Sequence, residues 1–170
     1  HKALILAMLA YGTTISPDKI YVRGIENITS RDFEFAKKLG YTIKLLVVIR
    51  YHEGQDDALE LRVQPCFVHD WHILASVNGV FNAIYVVGDF VGETMFFGEG
   101  AGAGAAASAV MGDVLEVARH IQQGVAPIVG CTCTDDLPIL PMDELVMRYY
   151  LRFSVTDRPG VLETMAGVFA

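Results

Sequence analysis

The residues best placed to do chemistry are a lysine near the start, a glycine-rich turn, one set of soft ligands, and a loop near the end of the chain. Gly98-Glu99-Gly100-Ala101-Gly102-Ala103-Gly104-Ala105 lies between a strand-like and a helix-like segment. Without Cβ atoms the backbone can come close to a ligand, and the free N–H groups at a helix start attract anions. Gly100 to Ala105 satisfies the G-x-G-x-x-A form of the dinucleotide fingerprint. However, the preceding strand arrives from a hairpin, and His120 and Ile121 stand where a ribose-holding acid belongs. Ligand contact and a turn built for tight helix–sheet packing both remain open for this segment. A self-sufficient nucleotide-binding domain built on it would require a parallel sheet.

Lys2 opens an apolar helix. Its ammonium either snorkels to water or, partly desolvated at a domain junction, donates a proton. Cys66, His69 and His72 have a spacing that soft metal ligands use, but no fourth ligand is evident and Pro65 and Trp71 suggest an irregular loop that buries part of the set; no metal is expected. Cys131-Thr132-Cys133 is a weaker pattern still. In Asp157-Arg158-Pro159-Gly160-Val161-Leu162, Pro159 presets a first helical turn and Gly160 permits close approach, so a small carboxylate could sit there.

The elements that must position these groups are legible from periodicity. Lys2 to Tyr11 reads as a buried helix, with Leu4, Ile5, Met8 and Leu9 at helical spacing and Gly12 as its stop. Ile20 to Ile25 reads as a short strand. Thr29 to Asp32 resembles a capping box for a helix ending at Leu39-Gly40. Tyr41 to Tyr51 and Ala58 to Gln64 read as a hairpin, the second strand alternating Leu59, Leu61 and Val63 with polar residues. Phe81 to Val87 and Phe90 to Phe97 form another around Gly88-Asp89. Ala105 to Gln123 is a long helix with Val110, Val114, Val117 and Ile121 on one stripe. Gly124 to Pro141 has linker composition, Tyr149 to Val155 reads as a strand, and a last helix follows Gly160. The expected fold class is α+β, a mixed and largely antiparallel sheet covered by helices.

Composition narrows the function. The chain has 170 residues, 52% of them hydrophobic and 19% charged, against about a quarter charged in ordinary globular proteins. Thirteen Lys and Arg against 20 Asp and Glu leave a net charge of −7, which disfavours nucleic acid and anionic membrane surfaces. No apolar run approaches the roughly 20 residues of a membrane span. Three cysteines are too few for a disulfide framework and suit a reducing cytoplasm. The apolar surplus, and ends that fall inside apolar patterns, suggest a piece of a longer protein and a homodimer.

Taken together, the segments resemble homoserine dehydrogenases. His1-Lys2-Ala3-Leu4-Ile5-Leu6-Ala7 is similar to that family's H-K-L-x-I-L-A helix, and Leu39-Gly40-Tyr41 followed by Ile43-Lys44-Leu45-Leu46 to its L-G-Y-x-I-K-L-L segment. Leu61 to Pro65, His72 to Ala75 and Val77 to Ile84 follow in the family's order, as do Gly88-Asp89 and Gly98 to Val110. The likeness covers about Lys2 to His120. Tyr149 to Ala170 resembles the opening βα portion of an ACT domain. The implied organisation is a catalytic and dimerisation domain over 1–125, a linker over 126–147, and the start of an ACT regulatory domain over 148–170.

The resemblance implies NAD(P)-dependent interconversion of L-homoserine and L-aspartate 4-semialdehyde, on the route to threonine and methionine. Lys2 takes the proton-donating role, and Gly100, Ala101 and Gly102 a cofactor contact. His72 and Asn78 fall nearer the substrate, and Asp157, Pro159 and Gly160 meet an amino-acid effector such as L-threonine. The nucleotide-binding half is expected upstream, so these residues alone should give no turnover, and the choice between NAD and NADP is open. Ala105-Ala106 departs from the family's Pro-Thr, removing a helix-start proline and a hydroxyl cap, with Ser108 as a partial substitute; Ile73 follows His72 where proline is frequent. The competing reading is a non-catalytic, dimeric, amino-acid-sensing module.

Overall fold

The computed structural model describes residues 1–54, 57–126 and 136–169. The Cys131-Thr132-Cys133 pattern lies outside them. Among these residues four α-helices and five strands are formed: α1 (Lys2–Tyr11), β1 (Tyr21–Val22), α2 (Ser30–Lys38), β2 (Tyr41–His52), β3 (Ala58–His69), β4 (Phe81–Gly88), β5 (Gly92–Glu99), α3 (Ala103–Gln123) and α4 (Val161–Phe169). The fold class is α+β, as expected. A mixed three-stranded sheet has the order β1-β3-β2, with β1 parallel and β2 antiparallel to β3, and β4 and β5 form a separate antiparallel pair.

Alanine decides how α1 packs. The helix stops at Gly12, whose left-handed φ of 61° lets its N–H reach Met8 O at 2.9 Å. Ala3 and Ala7, one turn apart, are buried and join Ile15, Leu59 and Leu61 in the core. Ile5 and Leu9, expected inside, are instead exposed at 55% and 62%. Small side chains let the helix backbone approach the sheet closely, so the alanine face goes in.

The β2–β3 hairpin runs in continuous register from Tyr41↔His69 to His52↔Ala58. It extends past the expected Gln64 through Pro65, Cys66 and His69. The peptide groups of Leu59 and Val63 point away from β2, bonding Pro138, Leu140 and Arg23; alternation puts Pro65 the same way. Its missing N–H then falls on the outer edge beyond β1, where a proline costs no ladder bond.

Three further expectations change. The strand at Ile20–Ile25 shrinks to Tyr21–Val22. Within the expected linker, Ile139 bridges to Leu59 and Leu137 N donates to Thr13 Oγ1 at 2.9 Å, so this part is built onto the sheet edge. Tyr149–Val155 forms no strand. An alternating pattern becomes a strand only beside a ladder partner, and among the described residues this segment has none; side chains hold it instead.

One of those anchors uses the predicted capping box. Asp32 Oδ2 accepts from Thr29 N at 2.8 Å, opening α2. Asp32 Oδ1 also accepts from Arg152 Nε at 2.7 Å and from the Tyr150 hydroxyl at 3.1 Å. The Arg152 hydrogen bond, with those of Thr29, holds the Asp32 carboxyl far below the usual carboxylate range.

Candidate active site

β3 ends at His69, and a short 3-10 turn at Ile73–Ser76 leads into β4. His72 caps that turn, its Nδ1 accepting from Leu74 N at 3.2 Å. Its half-buried ring stands edge-on to Tyr85 of β4 at 5.0 Å. The expected irregular loop around Cys66 and His69 is therefore regular strand, and among the described residues no group of three or more His, Cys, Asp or Glu could hold a metal ion.

Asn78 sits at the other end of the turn. Its Oδ1 accepts from Lys44 Nζ at 2.8 Å, and its Nδ2 donates to Ser76 O at 3.1 Å. Lys44 Nζ also donates to Val77 O. The sequence marks Lys44 only as part of the Ile43–Leu46 motif segment and assigns it no role in the site. It lies on β2, 34 positions from Asn78, and nothing local announces that pairing.

The glycine turn meets the same loop. Gly100 N donates to Val80 O at 2.9 Å, and Phe81 N to Asn78 O at 3.3 Å. A Cβ on Gly100 would overlap the Asn82 side chain, so packing against β4 explains that glycine. Gly98, Gly102 and Gly104 differ, since a Cβ on any of them meets nothing within 4 Å. Gly102 also has φ 131°, and α3 starts there with no side-chain cap. The start of α3 is thus an open surface with free backbone N–H groups.

Lys2 is exposed on the first turn of α1, and among the described residues its ammonium makes no hydrogen bond or ion pair. No hydrogen bond joins it to the glycine turn within these residues. Asp157, Pro159 and Gly160 are exposed before α4, with Gly160 at φ 86°. The structure therefore gathers Asn78, Gly100 and, through Tyr85 of the β4–β5 hairpin, His72, while among the described residues Lys2 and the 157–160 loop make no hydrogen bond or ion pair with them.

Fold and site define an α+β module carrying a polar loop and a glycine-rich helix start. A self-contained nucleotide-binding domain is excluded, because β4 and β5 on either side of Gly88-Asp89 pair antiparallel. The homoserine dehydrogenase family model matches residues 1–115. Homoserine dehydrogenase from Helicobacter pylori is 42% identical over 170 residues, covering 100% of this chain and 39% of its own length. The enzyme from Corynebacterium glutamicum is 42% identical over 172 residues, with 99% and 38% coverage. Among solved structures, a homoserine dehydrogenase from Thiobacillus denitrificans superposes with a TM-score of 0.81 at 34% identity, over 99% of this chain and 39% of that one. The Staphylococcus aureus enzyme at pH 6.5 gives 0.62 at 41% identity, over 69% and 29%. The chain belongs to the homoserine dehydrogenase family, a family of oxidoreductases. It spans about two fifths of the length of these curated relatives.

Proposed function

We propose that the protein containing this chain interconverts L-homoserine and L-aspartate 4-semialdehyde with NAD(P), and that Lys2 is its proton donor. The observation that carries this reading is the uncommitted amine of Lys2, in a chain whose first 115 residues match the family. Reduction of an aldehyde leaves negative charge on its oxygen. An ammonium beside that oxygen stabilises the charge as it develops and then transfers its proton. In the reverse direction the neutral amine takes the hydroxyl proton back.

The start of α3 suits an anionic, dinucleotide-type group. Gly102 and Gly104 leave the surface open, and the uncapped backbone N–H groups match negative charge. Gly100, Ala101 and Gly102 would hold that group, and the nicotinamide, when bound, supplies the hydride. Lys44 and Asn78 keep the loop beside the turn in place. His72 and Asn78 are assigned to the substrate side. The 148–170 segment is assigned to the start of an amino-acid-responsive regulatory unit, and the assembly to a homodimer in the cytoplasm. Among the described residues no helix is long and apolar enough to cross a membrane.

Replacing Lys2 with Ala in the intact enzyme tests this. Turnover should fall by about 10²–10⁴, the usual contribution of a positioned proton donor, while cofactor affinity barely moves. A loss of only a few fold would reduce Lys2 to a surface lysine.

A further inference from the structure

The β2–β3 hairpin has a second face that neither α1 nor the glycine turn uses. Its register sets Arg50 opposite Glu60, and alternation puts His52 and Arg62 on the same side of their strands. Glu60 is the pivot, with its side chain only 4% exposed. Its Oε1 accepts from Arg62 Nε at 2.7 Å, its Oε2 lies 3.1 Å from His52 Nε2, and Arg50 Nη1 stands 3.8 Å away. Burial opposes ionisation of Glu60, but the hydrogen bonds from Arg62 and His52 and the charges of Arg62 and Arg50 outweigh it and hold its pKa below the ordinary range.

The returning chain crosses this face, and most of what it brings is apolar. Half-buried Leu140, Leu145 and Met147 line a cavity of about 190 Å3 together with Arg50, His52, Glu60 and Arg62, and exposed Val146 and Glu144 complete its rim. Charge beneath apolar side chains is tolerated when its donors and acceptors are used. Here the acceptor is used by Arg62 and His52, while Arg50, its side chain 66% exposed, opens the site to solvent and to a ligand arriving from it. Arg50 lies beyond hydrogen-bonding distance of Glu60 and has no other ion pair among the described residues, and Arg62 has only Cys66 Sγ, at 3.7 Å, as a further partner.

Each part of the lining specifies a part of a ligand. The planar guanidinium donors match a carboxylate. Glu144 supplies the opposite charge, which suits an ammonium, and the apolar strap suits an aliphatic or thioether side chain. The volume is below the about 300–1,000 Å3 of sites for drug-sized molecules, which limits the ligand to a small one. We infer that the cavity beneath residues 140–147 binds a free α-amino acid with an aliphatic or thioether side chain, its carboxylate on Arg50 and Arg62 and its ammonium toward Glu144. None of these residues belongs to the candidate active site or to the 157–160 loop.

Calorimetric titration of the intact protein tests the assignment, with L-valine, L-leucine and L-methionine as probes. Two truncated probes accompany them: 3-methylbutylamine, which is leucine without its carboxylate, and 4-methylpentanoate, which is leucine without its amine. At least one amino acid should bind saturably, and each truncated probe should bind at least tenfold more weakly than leucine. Arg50→Ala should weaken amino-acid binding at least tenfold. Glu144→Gln should weaken leucine but leave 4-methylpentanoate unchanged. Arg50 and Glu144 are both exposed, so neither change threatens the fold. No saturable heat with any of the three amino acids overturns the site, and so does binding that survives Arg50→Ala. Equal affinity for leucine and 4-methylpentanoate overturns the ammonium assignment. Binding is read here and turnover is not, so this result and the Lys2 result succeed or fail separately.

Discussion

Two regions of the molecule carry apolar side chains in regular patterns and dispose of them in opposite ways. Around β3 the patterns close on one another: Ala3, Ala7, Ile15, Leu59 and Leu61 are all at most 5% exposed. In the β4–β5 hairpin and α3, Ile84, Val86, Phe96, Val110 and Val114 are 42–69% exposed, and α3 buries no residue at all. Both regions have well-formed hydrogen-bonded elements. The contrast shows that periodicity specifies the element, whereas a facing surface specifies the core. Exposed apolar faces of this extent are the usual mark of interaction surfaces.

The largest effect expected of that contrast is on stability. Leu59 is 0% exposed, and its peptide group bonds Pro138 O and Leu140 N at 2.9 Å each. Leu59→Ala should therefore cost about 2–5 kcal/mol in urea denaturation of this chain. Val114→Ala should cost less than about 0.5 kcal/mol in the same measurement, as at a surface position. Equal costs would mean that α3 is packed after all, and the comparison would collapse.

A smaller effect separates two glycines of one turn. Gly100→Ala forces the Asn82 side chain aside and should destabilise by about 1–3 kcal/mol, as overpacking does. Asn82→Ala on the same background should recover most of the loss. Gly104→Ala meets open space and should be neutral or stabilising by about 0.5 kcal/mol, because alanine is the better helix former. If Gly104→Ala nevertheless weakens NAD(P)H binding in the intact enzyme, the openness at the start of α3 serves a ligand.

The same two regions mark how far local sequence signals reach. Gly12, the Thr29–Asp32 box, the Leu59-Leu61-Val63 alternation and the Gly88 turn each act within a few residues, and the elements they announce all form. The alanine face of α1 was hidden, because Leu4, Ile5, Met8 and Leu9 also have helical spacing, and only the facing sheet takes Leu4 and Met8 partly in and leaves Ile5 and Leu9 out. Tyr149–Val155 has strand chemistry but no ladder partner among the described residues. Of the candidate site, the residue types were legible and their company was not. Lys44 meets Asn78 across 34 positions and Arg152 meets Asp32 across 120. No window of sequence contains such pairs.

The Arg152–Asp32 pair yields a pH prediction for the well-packed region. A carboxyl whose folded pKa is depressed stabilises the fold above its unfolded pKa of about 3.9, and that stability is lost as pH falls toward the folded value. The melting temperature should therefore drop as the pH is lowered below about 4. Arg152→Met removes the largest cause of the depression and should flatten this part of the profile. An unchanged acid limb would mean that Thr29 and Tyr150 hold the Asp32 carboxylate without Arg152.

The smallest effect asks whether the C-terminal segment is coupled to the sheet or only resting on it. Tyr150 stacks on Phe67 at 4.6 Å, Phe67 meets Tyr41 at 5.7 Å, Tyr41 stacks on His69 at 4.1 Å, and His69 on Trp71 at 5.1 Å. Trp71 is the single tryptophan of the chain and stands beside His72, ring to ring at 6.0 Å. Its fluorescence thus reports on the far end of a continuous ring stack that begins in the segment anchored by Arg152. Coupling through such a stack requires that its members move together, which contiguity alone does not establish. Tyr150→Leu removes the first ring and should alter the emission of Trp71. Phe169→Leu should leave it unchanged, because among the described residues the Phe169 ring meets only that of Phe153, at 6.2 Å, and no member of the stack. If neither substitution changes the emission, the segment is a passive strap. If Tyr150→Leu alone does, the docked state of this segment is felt at the turn that His72 caps.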